Sequence, residues 1–144
     1  MSAATIAFEA RLENLRALLG WVERACAEAG VGEDAAFPLQ LAVEEVAANV
    51  IHHGYDGAEA GPLRLAFRAD GATVTVVIED EAPPFDPADA PAPDLASEWD
   101  DRRVGGLGWH LVRALMDEVR YEALPRRGNR ITLTKRRAAP DDAS

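Results

Sequence analysis

A single cysteine, Cys26, stands in a chain of 144 residues, so no disulfide can form within it. Its apolar, helical surroundings favour a reduced thiol in an intracellular core. Positive charge is also scarce: 15 Lys and Arg against 25 Asp and Glu leave a formal net charge of -10. That balance opposes attraction to nucleic-acid phosphates or to anionic lipid, and three tryptophans without a basic stripe make no stacking platform for single strands. No apolar run approaches the roughly 20 residues needed to cross a bilayer. The opening MSAATIAFEARLENL has neither the basic nor the apolar region of a secretion signal. A cytoplasmic protein without a nucleic-acid or membrane partner is therefore expected. No internal repeat or linker divides the chain, which is long enough for one core and short for two. The expectation is one domain over residues 1–144, with residues from about 137 to 144 as a frayed tail.

Missing motifs exclude further chemistry. There is no GK[ST] ending for a Walker loop, no G-x-G-x-x-G after the first strand, and no His-Glu-x-x-His or cysteine cluster for zinc. The adjacent His52 and His53 read as surface or local hydrogen-bonding groups at a helix end.

What is present alternates and repeats with clear periods. ATIAFEA suits a short strand, and Leu12, Leu15, Leu18, Leu19, Val22, Ala25, Cys26 and Ala29 recur at mostly helical spacing before Gly30 and Gly32. A second helix is expected from about Phe37 to about Ile51. GPLRLAFRADGATVTVVIED reads as two strands meeting in a tight turn at Asp70-Gly71. Residues 81–101 hold five of the nine prolines and seven acidic side chains with no Lys or Arg, which makes a long loop and a candidate lid from about 84 to 104. A third helix starts near Gly106 or Leu107, and EVRYEAL, PRRGN and RITLTKR make a last hairpin. This order predicts an α/β (α+β) two-layer sandwich, a mostly antiparallel sheet covered by helices on one face.

Several polar residues do not fit the core pattern. Glu45 and Asn49 are four apart and share a helix face, whereas Glu44 lies about 100° away. A carboxylate can take a proton from a hydroxyl, and an amide oxygen can ligate Mg²⁺ without adding charge. Taken alone, the row reads more simply as solvent-facing or capping side chains. Asp80 ends an apolar strand, as turn residues often do, yet a carboxylate at a pocket rim can accept the exocyclic amine of adenine. Gly105, Gly106 and Gly108 in RRVGGLGWHL serve equally as a turn or as a cradle whose amides and helix start face anionic oxygens. Arg102 and Arg103 are either a charged loop edge or phosphate neutralisers.

In combination, AVEEVAANVIHHGYDG, VVIEDEAPPFDP, GGLGWHLVRALMDEVRYE and GNRITLTKR resemble the histidine-kinase-like ATPase superfamily, most closely its bacterial anti-sigma-factor serine-kinase branch. The resemblance runs from about residue 5 to 136. It implies a Bergerat-type fold, ATP and Mg²⁺ as cofactors, Glu45 as the base that prepares a protein serine, Asn49 as the Mg²⁺ ligand and Asp80 as the adenine reader. It further implies a nucleotide pocket that includes Ala82, Arg103, Gly105, Gly106, Leu107, Gly108 and Thr132. The substrate would be a small anti-sigma-factor antagonist that competes with a sigma factor when unphosphorylated, and the kinase would pair as a homodimer. The chain departs from the family in Ala82-Pro83, where glycines are frequent, in the bulky Trp109-His110, and in a strongly acidic lid. These departures keep two rivals open: a noncatalytic partner-binding module, and an ATPase that transfers to water. A histidine autokinase is disfavoured, because no dimerisation helix pair with a phosphoacceptor histidine precedes the nucleotide pattern.

Overall fold

A computed structural model describes residues 2–55, 59–84 and 106–138, with backbone alone for residues 106 and 107. The candidate lid from residue 85 onward, with Trp99, Arg102, Arg103 and Gly105, lies outside the described residues, as do residues 139–144.

The described strands are β1 (Ser2–Glu9), β2 (Pro62–Ala69), β3 (Thr73–Asp80), β4 (Glu118–Ala123) and β5 (Asn129–Arg136). They form one sheet in the order β1-β2-β3-β5-β4, antiparallel at every pairing. Alternation along each strand decides the faces. Leu63, Leu65 and Phe67 on β2, Val74, Val76 and Ile78 on β3, and Ile131 and Leu133 on β5 are buried, and their odd-numbered or even-numbered neighbours are not on that face. The helices α1 (Leu15–Glu28), α2 (Glu33–Asn49) and α3 (Gly106–Leu115) supply the other layer, with α2 in the middle against α1, α3, β3 and β5. The expected two-layer sandwich is the fold observed. Among the described residues no helix is long and apolar enough to cross a membrane.

The boundaries follow local chemistry. Leu12 does not join α1: it begins a 3₁₀ turn (Leu12–Asn14) and is 59% exposed. At the other end, Val31 N–H donates to Cys26 O and Gly30 N–H to Ala27 O, with Gly30 at a φ of 71°, which is the glycine-terminated Schellman arrangement. α2 starts at Glu33, earlier than the expected Phe37. Glu33 and Asp34 suit the positive end of the helix, and Ala35 and Ala36 are buried, so one turn forms ahead of Pro38 despite its missing N–H. Past Asn49 the chain widens into a π-helical turn, Val50–Gly54.

Two other expectations change. The β2–β3 turn is not the two-residue type: Ala69 pairs with Val74, Asp70 Oδ1 accepts from Ala72 N and Thr73 N, and Gly71 has no positive φ. Arg137, expected at the start of a frayed tail, is half-buried and donates through its guanidinium to Ala29 O, Gly30 O and Asp70 O. Cys26 is buried in the core, and burial pushes its thiol up to about 11, so it is a packing group.

Candidate active site

The second half of α2 separates the two acidic neighbours as the helical rotation requires. Glu44 lines a groove of about 490 Å³ against α1, formed by Leu12, Leu15, Arg16, Leu19, Gly20 and Glu23. Glu45 turns the other way, to the start of α3, where a Cβ built on Gly108 would stand 2.5 Å from Glu45 Oε2. The carboxylate therefore fills space that exists because residue 108 has no side chain. Burial first, and the charge of Glu44 second, hold the Glu45 carboxyl above the usual glutamate range. Asn49, one turn on, is half-buried. Neither Glu45 nor Asn49 makes a side-chain hydrogen bond or ion pair among the described residues.

Asp80 is built into the end of β3 and is 3% exposed. Its Oδ1 accepts from the Ala82 backbone N–H at 2.9 Å and from Asn129 Nδ2 at 2.9 Å. Burial is the main influence on this carboxyl and raises it, while these two donors oppose the rise. The strand end is itself pinned from α2's side. The Tyr55 hydroxyl donates to Pro62 O at 2.7 Å and accepts from Glu81 N at 2.9 Å, so the last residue of the HHGY stretch ties β2's start to the residue after Asp80. Gly54 lies beside it, where an added Cβ would meet Ala82 Cβ at 3.5 Å. The helix that carries Glu45 and Asn49 thus reaches Gly108 with one turn and the Asp80 segment with its π-helical end.

Gly128 closes the site from the β4–β5 turn. Its φ is 114°, and a Cβ there would overlap the Asp80 carbonyl oxygen, so glycine is needed both for the backbone angle and for the close approach. Arg127 Nε donates to Glu81 O at 2.7 Å beside it.

Residues 8–135 match the family described as the histidine kinase-like ATPase domain. The chain belongs to that family. It is 32% identical over 103 residues to the serine/threonine-protein kinase BtrW of Bordetella bronchiseptica, covering 71% of each chain. Similarity to the anti-sigma F factor of Clostridium novyi is 26% over 98 residues, or 68% of each chain. The serine-protein kinase RsbW of Bacillus subtilis is 33% identical over 89 residues, which is 58% of this chain and 55% of RsbW. The crystal structure of the RsbU and RsbW domains of Rv1364c from Mycobacterium tuberculosis superposes with a TM-score of 0.68 at 20% identity, over 95% of this chain and 33% of that one. That likeness is one of fold, with the antiparallel sheet and helical cover of a Bergerat-type ATPase domain.

Within this histidine kinase-like ATPase domain, the residues expected to bind nucleotide divide into groups. Glu45 meets Gly108, and Asn49 lies on the same helix. Gly106, Leu107 and Gly108 open α3, whereas Arg103 and Gly105 fall outside the described residues. Ala82 is completely buried and its N–H is taken by Asp80, so it supports the carboxylate rather than offering an amide to a ligand. Thr132 is on the wrong face. It pairs with Val77 and Arg120, away from Ile131 and Leu133 and hence away from the helices. Asn129, three residues earlier and on the helix-facing side, is the β5 residue that reaches Asp80, and sequence reasoning missed it. The signal was available in parity: counting back by twos from the buried Leu133 and Ile131 arrives at Asn129.

The arrangement offers a partly desolvated carboxylate without a partner among the described residues, an amide oxygen, a second, buried carboxylate and a glycine-opened helix start. Trp109, next along α3, is buried with its indole N–H unpartnered among the described residues. His52 and His53 are exposed, and no group of three or more His, Cys, Asp or Glu that could hold a metal occurs among the described residues.

Proposed function

We propose that this chain is an ATP-dependent protein serine kinase that phosphorylates a small antagonist protein and so acts as a partner-switching regulator. The observation that carries the reading is Glu45: a carboxylate made more basic by burial, without a partner among the described residues, held against Gly108 where the glycine cluster enters α3. A structural carboxylate in that position would gain from a cationic partner. A proton acceptor gains from having none.

In this reading Asp80 Oδ2 accepts the adenine amine, and the amides at the start of α3 face the phosphates. Asn49 fits Mg²⁺ as a lone neutral oxygen ligand of the kind the ion takes when phosphates and water fill its other positions. When bound, the ion neutralises charge on the phosphate oxygens. Glu45 receives the proton of the acceptor serine as its oxygen bonds to the terminal phosphorus. The bond from that phosphorus to the bridging oxygen breaks, and ADP leaves with the electron pair. Orientation does most of the work, since phosphoryl transfer needs alignment and charge stabilisation more than covalent help.

The same reading makes the unphosphorylated antagonist a competitor of a sigma factor for this chain, and pairs two copies of the kinase. Support comes from similarity to proteins named as serine kinases and as an anti-sigma factor.

The test is transfer of labelled phosphate from MgATP to purified small antagonist domains, with Glu45→Gln and Asn49→Ala beside the wild type. Labelled protein in the wild type and at least about a hundredfold less in folded Glu45→Gln is expected. Free phosphate with no labelled protein would convert the reading to an ATPase. No binding of MgATP by the folded chain would leave a partner-binding module.

A further inference from the structure

Asp80 and Asn129 are Cα partners at the end of the β3–β5 ladder, and Asn129 is itself held from the neighbouring strand. The Tyr121 hydroxyl on β4 donates to Asn129 Oδ1 at 2.6 Å. Asn129 Nδ2 then donates to Asp80 Oδ1 at 2.9 Å and to Pro83 O at 3.2 Å. We propose that Tyr121 and Asn129 are positioning residues that set purine choice, by fixing which Asp80 oxygen is occupied by protein and which is left for a base with an exocyclic amine. The inference rests on the nucleotide reading above and goes beyond it.

The amide has one tolerable orientation. Turned over, its oxygen would face the Asp80 carboxylate and the Pro83 carbonyl, two acceptors, with no proton between them. As placed, both amide hydrogens have acceptors and the amide oxygen has the phenol. Asp80 Oδ1 receives a second donor from Ala82 N at 2.9 Å, and the Asn129 backbone N–H and the Arg64 charge also favour the ionised form. The Asn129 amide and the Ala82 N–H thus converge on Oδ1 and leave Oδ2 as the oxygen for a base. An ionised Oδ2 held still accepts from an amine and repels a carbonyl at the same point of a purine. Losing the Asn129 side chain removes one of the two donors bonded to Oδ1, leaves the backbone N–H contacts, lets the carboxyl rotate, and favours its protonated form. A protonated carboxyl donates to a carbonyl, so discrimination narrows from both sides.

Calorimetric titration with MgATP and with Mg-inosine triphosphate, which carries a carbonyl in place of the amine, tests this on the full chain. Wild type is expected to prefer ATP. Asn129→Ala should narrow the ATP-over-inosine ratio by about tenfold or more, and Tyr121→Phe by about threefold, as expected for loss of a hydrogen bond to a charged and to a neutral group. Asn129→Thr keeps a donor towards Asp80 and should recover most of the ratio. A purely structural role would weaken both nucleotides equally, and that result in Asn129→Ala overturns the inference. A wild type that prefers ATP beside an unchanged ratio in Asn129→Ala also overturns it, alone. A folded wild type that binds neither triphosphate overturns the nucleotide reading and this inference with it. If Asn129→Ala does not fold, Tyr121→Phe, which loses one hydroxyl, decides by the same ratio.

Discussion

Glu45 Oε2 lies 2.5 Å from the point where a Cβ on Gly108 would stand, so two helices distant in sequence share one small space that a single methyl group would fill. Gly108 is not there for its backbone: among the described glycines only Gly30 and Gly128 have positive φ. Its contribution is room for a carboxylate beside the amides that open α3. The relationship couples the α2 carboxylate to the glycine cluster in a way that neither segment shows by itself.

Gly108→Ala should therefore separate stability from activity. The atom in the way is the far end of a flexible side chain, so Glu45 moves and the helices do not. Alanine also favours the helix over glycine by up to about 1 kcal/mol. Thermal melts should show an unchanged or raised Tm, while, if the chain is the proposed kinase, transfer assays show kcat down by about tenfold to a hundredfold as the proposed base is displaced. A variant with lowered Tm and full activity would contradict the shared-space account.

Asp80→Asn tests base reading at the other end of the site. The new amide can keep its oxygen towards Ala82 N and Asn129 Nδ2, so the local hydrogen bonds survive. Its NH₂ then replaces the second carboxylate oxygen and, in the proposed pose, would meet the adenine amine as donor against donor. Affinity for ATP should fall by at least about a hundredfold, and inosine triphosphate should become the better ligand. Titration of both nucleotides reads the inversion directly, and equal weakening of the two would rule out base contact by residue 80.

Much of this was legible in the sequence because it depended on period. Alternation in β2 and β3 placed Asp80 at the end of an apolar strand, and a 100° step around α2 distinguished Glu45 from Glu44. What escaped depended on register and on distant partners. Asn129 meets Asp80 because the β4–β5 turn, with Gly128 at φ 114°, starts β5 where it does, and choosing Thr132 instead puts the side chain on the other face. α2's early start needed knowledge that Ala35 and Ala36 are buried, since Pro38 argued locally for a later one. Arg137 looked free because its acceptors, Ala29, Gly30 and Asp70, are far away along the chain.

Stability should also report on Glu45 through pH. Burial and Glu44 hold its carboxyl above the ordinary glutamate range in the folded chain, so the folded state binds this proton more tightly than the unfolded state does. The stability it contributes is complete below the unfolded value of about 4.3 and is lost as pH rises through the higher folded value. Glu45→Gln has no such loss. Urea denaturation should find it more stable than wild type at pH 7, by less than about 1 kcal/mol once solvent screening is allowed for. The difference should close below about pH 4. A gap that widens towards acid would mean that the carboxylate has a stabilising partner.

Arg137 offers a change that should affect stability and leave the proposed nucleotide site alone. Its guanidinium donates to Gly30 O at 2.8 Å, and to Ala29 O and Asp70 O at 3.2 Å each, joining the end of α1 to the β2–β3 turn. A cation there also suits the negative end of the helix. That turn is at the Thr73 end of β3, and a strand of eight residues separates it from Asp80 by roughly 25 Å. Arg137→Met keeps the apolar stem and removes the donors, and should lower unfolding stability by about 1–3 kcal/mol. Arg137→Lys keeps the charge but cannot reach three carbonyls with a planar fork, and should recover less than half of the loss. ATP affinity should be unchanged in both variants while they are folded. If Arg137→Met weakened ATP binding in proportion to stability, the two ends of β3 would be coupled, and the clamp would be part of the site rather than part of its frame.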